Sequence, residues 1–171
     1  MEANLDLLFT RRSIRKYTDQ KIPDELIKII LAAGMAAPSA GNEEPWEFIV
    51  VDEREKMIAI TEVHPYSAML RNASHCIITC ANPAKFKYPE EYWIQDCSAA
   101  TQNMLLAANG LGLGAVWLAT FPKMDRVEGV RRIFAIPPEI IPVSMISLGY
   151  PAEKKAPKKG CNEALIHWNK Y

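Results

Sequence analysis

Ala36-Ala37-Pro38-Ser39-Ala40-Gly41-Asn42-Glu43-Glu44-Pro45-Trp46 joins an apolar, helix-like segment to the strand-like run Glu47-Phe48-Ile49-Val50-Val51. Its small side chains let a flat object approach the backbone closely, and Asn42 offers that object both a donor and an acceptor. The alternative is an ordinary Gly/Pro/Asn loop between helix and strand. The segments on either side bear on that choice.

Upstream, Ile22-Pro23-Asp24-Glu25 reads as a helix start, with Pro in the first turn and acids at the positive dipole end. Leu26, Ile27, Ile29, Ile30, Leu31, Ala33 and Ala37 make this helix apolar around most of its circumference. It therefore belongs in a core or against a partner subunit. Before it, Asn4 can cap a short helix carrying Leu5, Leu8 and Phe9. Thr10-Arg11-Arg12-Ser13-Ile14-Arg15-Lys16-Tyr17 follows: four cations, a hydroxyl, and Ile14 and Tyr17 as inward anchors. A solvated basic face is one reading and a local phosphate site the other, because Arg forks match phosphate oxygens.

Downstream, strands are expected at Trp46–Val51, His75–Ala81, Ala115–Thr120 and Val143–Tyr150. Asp52-x-x-Glu55 and Asp125-x-x-Glu128 resemble capping boxes opening further helices. The longest helical pattern runs from Glu90 to Asn109 with Trp93, Cys97, Ala100, Met104 and Ala108 in one stripe, and Gly110 as its C′ residue. Leu111-Gly112-Leu113-Gly114 is not a dinucleotide fingerprint: the third glycine is missing and a strand follows where a helix should. After Pro151 a lysine-bearing tail (Lys154, Lys155, Lys158, Lys159) ends in Ala164-Leu165-Ile166-His167-Trp168, which reads as an arm.

The bulk numbers narrow the classes. At 171 residues, one domain with a real core is expected. Lys+Arg and Asp+Glu are both 20, so no global charge draws the chain to nucleic acid or to acidic lipid. Cys76, Cys80 and Cys97 read as buried free thiols, and Cys161 completes the four; no C-x-x-C pair occurs. No signal-like or membrane-spanning run is present, so a cytoplasmic protein is expected. His64, His75 and His167 lack a triad signature, no spacing matches a metal ligand set, and adjacent acids such as Glu43-Glu44 point apart. A local anion site and an approach loop without acid–base machinery fit a protein whose cofactor carries the chemistry.

On Arg11 to Arg15, Ala37 to Asn42 with Pro45-Trp46, Gly112 to Leu118, and Gly149 to Glu153, the whole chain resembles the nitroreductase family in its short form. The resemblance implies an α+β fold, an α/β/α sandwich whose central sheet is mixed and mostly antiparallel, formed by residues 1–171 as a single domain. It also implies a homodimer that exchanges the 150–171 arm and holds two FMN at the interface. By that resemblance Arg11, Arg12 and Ser13 hold the phosphate and ribityl chain, Arg15 lies by the N1/O2 edge, and Lys158 reaches back to the phosphate. Pro38, Ser39, Ala40 and Asn42 come from the other subunit, and Leu118 and Ala119 lie beneath the ring; no side chain is expected to be catalytic.

The implied reaction is ping-pong transfer from NADH or NADPH to a nitroaromatic, quinone or other electron-poor small molecule. Alternatives are another reaction on FMN (dehalogenation, enone reduction) and a flavin-binding protein with little turnover. The chain departs from the family at Glu44 (usually Gln), Ala119-Thr120 (usually with a glycine), Gly160 (often Arg) and Ala68 (Lys in some members).

Overall fold

The structure is a computed structural model that describes residues 5–158 and 160–171, so Asn4 and Lys159 lie outside the described residues. Four strands form one sheet in the order β1 (Trp46–Val51), β2 (His75–Ala81), β4 (Ile141–Gly149), β3 (Gly114–Ala119). All three ladders are antiparallel, and the parallel contribution is a bridge from Ser13 to Ala115.

Strand alternation sorts side chains between two helical layers. Ile77, Ile146, Leu148 and Ala115 face α2 (Asp24–Met35) and α4 (Tyr92–Gly110), meeting Ile27, Ile30, Met104 and Ala108. Cys76, Ile78, Met145 and Leu118 face α3 (Arg54–Val63) and α5 (Met124–Phe134), meeting Met57, Ile60 and Val130. This is the expected α/β/α sandwich. Cys76, Cys80 and Cys97 are buried and free, and burial pushes the Cys76 and Cys80 thiols up to about 12. Cys161 is exposed. Among the described residues no helix is long and apolar enough to cross a membrane.

Neither capping box forms. Helix α3 starts at Arg54, leaving Asp52 one residue too early to cap it, and the Asp52 carboxylate instead pairs with Lys21 at 2.8 Å. Helix α5 starts at Met124, so Asp125 sits inside the first turn, where it can only complement the dipole. Gly110 still belongs to α4. The left-handed residue is Gly112 (φ 73°), with Leu113 N–H donating to Ala108 O and Gly112 N–H to Asn109 O, a Schellman closure.

Apolar surface stays uncovered near the N-terminus and on α2. α1 (Asp6–Thr10) buries none of its residues, and Leu5, Leu8 and Phe9 lie open. On α2, Ile29 and Met35 are exposed, so one chain's core does not absorb that helix's apolar circumference.

Candidate functional site

The basic segment is held by a slot that two glycines create. Gly114 and Gly149 face each other across β3 and β4. A Cβ at Gly114 would lie 2.6 Å from Ile14 Cγ2, and one at Gly149 2.6 Å from Tyr17 Cγ. Ile14 and Tyr17 drop into that space, and the Tyr17 hydroxyl donates to Ile14 O (2.8 Å) with Ser147 O at 3.2 Å. Burial pushes the phenol well above its ordinary range and keeps it a donor. With its anchors fixed, the segment leaves Arg11, Arg12 and Ser13 half-buried and Arg15 exposed.

The tail then runs back along this segment. Thr18 N–H bonds Tyr150 O, Ala152 N–H bonds Lys16 O, and Lys158 N–H bonds Phe9 O. The Arg12 guanidinium donates to Ala156 O, and Lys155 Nζ reaches Ser13 O at 2.6 Å. Glu153 accepts from the Arg15 and Lys16 amides; with the Arg15 bond the largest cause and Lys155 beside it, its carboxyl stays below the usual range. Arg12, Lys154 and Lys155 thus share a depression of about 270 Å³ with Glu153. Lys158 is brought to the same end of the molecule by its backbone bond to Phe9.

Beside it lies a cavity of about 470 Å³. Trp117, Leu118 and Ala119 form its strand wall, Arg15 lies on one side, and Tyr66, Ala68 and Arg126 lie on another. The Ala119 carbonyl accepts from two donors, His64 Nε2 at 2.9 Å and Arg126 Nη1 at 3.0 Å. Since Tyr66 N–H points at His64 Nδ1 (3.3 Å), the ring is the neutral Nε2–H tautomer. Burial, chiefly, depresses the His64 value below 6.5, and burial does the same to His75.

The sign of the resulting pH dependence follows. The unfolded chain takes up protons near 6.5 that the folded imidazole refuses, so stability falls as pH drops through that value. Denaturant titrations at about pH 7.5 and about pH 5, on either side of the ordinary histidine value, should show this loss. His64→Gln should reduce it, leaving the share that His75 contributes, and an equally steep loss in the variant would place the titration elsewhere.

The loop Pro38, Ser39, Ala40 and Asn42 is not at this cavity. Gly41, Asn42 and Glu44 all have positive φ, and Lys87 Nζ caps the Gly41 carbonyl at 2.7 Å. Ala40 N–H donates to Asp96 Oδ1 (3.0 Å) near the start of α4. Burial, and then the neighbouring Glu43, pushes the Asp96 carboxyl up. The basic segment sits at the other end of that helix, where Asn109 Nδ2 bonds Leu7 O and Thr10 Oγ1. From Asp96 to Asn109 is about 20 Å at 1.5 Å per residue. One chain therefore keeps its loop and its arginines apart. Glu44 is exposed and borders a different cavity, with Met35, Trp46 and Lys85.

Arg15, Leu118 and Ala119 come together on one cavity, with Arg12 and Ser13 adjoining in the chain. His64, Arg126 and Lys155 were not expected, and only Lys155 carried a signal, the charged tail. His75 bonds Ser74 and His167 stacks on Tyr171, so neither enters the cavity. Among the described residues no cluster of His, Cys, Asp and Glu could hold a metal.

The geometry has counterparts. The family model for the nitroreductase family matches residues 8–70 and 59–150. A protein of Methanothermobacter thermautotrophicus, provisionally named NADH dehydrogenase/NAD(P)H nitroreductase, is 52% identical over 167 residues, 98% of this chain and 87% of its own. The crystal structure of a Bacteroides thetaiotaomicron protein with the same provisional name is 45% identical, with a TM-score of 0.92 over 98% of this chain and 97% of that one. A Desulfovibrio desulfuricans protein, provisionally named a nitroreductase and solved in complex with FMN, is 30% identical, with a TM-score of 0.85 over 100% and 99%.

Proposed function

The chain belongs to the nitroreductase family, and from that premise we propose that it uses FMN to pass reducing equivalents from NADH or NADPH, by ping-pong, to a nitroaromatic, quinone or similar electron-poor small molecule. The observation that carries this reading is the cavity of about 470 Å³ with Leu118 and Ala119 as its wall and Arg15 at its side. Its counterpart in similarity is a relative solved in complex with FMN.

The residues present fit the cofactor. Cavity and basic depression both take Arg segment residues on one side, which suits a ring joined by a chain to a phosphate. Arg11, Arg12 and Ser13 are proposed to hold the phosphate, with Lys158 docked beside Phe9. Bound there, FMN would supply the hydride-transfer chemistry, and the one cavity would have to admit both the nicotinamide and the acceptor in turn. Arg15 contributes positive charge where negative charge accumulates on reduction. The Leu118–Ala119 wall is held rigid by the two donors on the Ala119 carbonyl.

The site is proposed to be completed by a second copy, because the Pro38–Asn42 loop lies at the far end of α4 in its own chain. The exposed Ile29 and Met35 of α2 and the exposed Leu165, Ile166 and Trp168 of the tail supply apolar surface for that homodimer, with the end of the 150–171 arm exchanged. Anaerobic mixing of the flavin-loaded protein with NADH or NADPH tests the reading. Loss of flavin absorbance, restored by a quinone or nitroaromatic, is expected; a flavin that neither nicotinamide bleaches would refute the nicotinamide link.

A further inference from the structure

We propose that this cavity selects anionic acceptors, planar molecules bearing a carboxylate, and that Arg126 is the residue that selects them. The inference rests on the reading of the cavity as the place where the acceptor is reduced. Two guanidiniums, Arg15 and Arg126, line it from different elements, and no carboxylate does. Several cations elsewhere are matched: Lys21 with Asp52, Arg71 with Glu62, Arg131 with Glu128, Lys155 with Glu153. Arg126 has no such partner among the described residues, and its Nε is buried without a hydrogen bond.

Its place in the fold points the same way. Arg126 lies in the first turn of α5, where the helix dipole disfavours a cation. Asp125 in the same turn does not line the cavity. An anion arriving there meets the dipole and the guanidinium together. Arg126 Nη1 is committed to the Ala119 carbonyl, which fixes the fork at the end of the strand wall. The guanidinium carbon lies 5.5 Å from the centre of the Tyr66 ring, itself 71% exposed, so an aromatic face adjoins the charge. A flat ring with a carboxylate matches that pairing; a neutral quinone uses only the aromatic half.

The test compares 4-nitrobenzoate with 4-nitrobenzamide, which share shape and differ in charge, as acceptors for the flavin-loaded protein. Calorimetric titration of the non-reducible pair benzoate and benzamide provides a readout without turnover. Wild type is expected to favour the carboxylate in both assays by about tenfold, the value of one charge-assisted bond, with the preference shrinking in salt. Arg126→Gln should fall more steeply on the carboxylate and erase the ratio, while Arg126→Lys keeps part of it, retaining charge without the fork.

Equal handling of the two compounds by wild type, or an Arg126→Gln effect confined to the KM of the nicotinamide, would overturn the proposal; the second result would assign the arginine to the nicotinamide's phosphates. If neither nitro compound is reduced, the titration separates the two ideas. Arg126-dependent benzoate binding upholds the anion site and leaves the reductase reading to the nicotinamide-bleaching experiment, whereas its absence sinks the anion site.

Discussion

Replacing Arg11 and Arg12 together by alanine is expected to leave the protein without FMN. Charge-assisted hydrogen bonds are worth about 1.5–3 kcal/mol each, so losing two costs about 3–6 kcal/mol of binding. That is a weakening of roughly a hundredfold or more. The purified double variant should be colourless where the wild type is yellow, and fluorescence titration with FMN should give the shifted dissociation constant. Arg12 also holds the tail through Ala156 O, so some loss could come from a loosened arm. Pro157→Gly, which loosens the tail without removing a cation, serves as the comparison and should retain FMN. If the double variant keeps its flavin, the phosphate is held by Lys154 and Lys155 on the other side of the same depression.

Strands β1 and β2 were legible to the residue because each is an apolar run closed by polar or turn residues at both ends. The same holds for the stripe on α4 and for Ile14 and Tyr17 as anchors, since large apolar side chains in a basic segment have few places to go. Helix ends were less legible. Asp52 stands one residue before the N-cap of α3 and Asp125 two residues past the N-cap of α5, and in the Gly110-Leu111-Gly112 run the left-handed stop falls on the second glycine.

The site divided along a similar line. Arg15, Leu118 and Ala119 meet because Ser13 lies against Ala115 in a β-bridge, a local consequence of the strand and its neighbour. His64 and Arg126 join them only because α3 and α5 pack together under the sheet, and nothing near either residue in the chain announces that packing. The separation of the Pro38–Asn42 loop from the arginines depends on the length of α4, so it became visible only with the helix folded between them.

Tyr17→Ala is expected to cost about 3–5 kcal/mol, the loss for a large buried aromatic ring, because the ring fills the slot that Gly149 leaves open. Tyr17→Phe should cost about 1 kcal/mol by leaving the carbonyls of Ile14 and Ser147 without their shared donor. Gly149→Ala puts a Cβ within 2.6 Å of Tyr17 Cγ. The ring must move, and overpacking of this kind costs about 1–3 kcal/mol. The decisive comparison is the double variant measured by urea unfolding. With the ring gone, the clashes at Cγ and Cδ1 vanish and only the Cβ of residue 17, 2.8 Å away, still crowds the new methyl, so Gly149→Ala should cost less in the Tyr17→Ala background than alone. Simple addition of the two costs would mean that glycine and tyrosine do not share one slot. Coupling would show that a missing side chain on β4 is what seats the basic segment, and Arg15 with it, against the wall of the cavity.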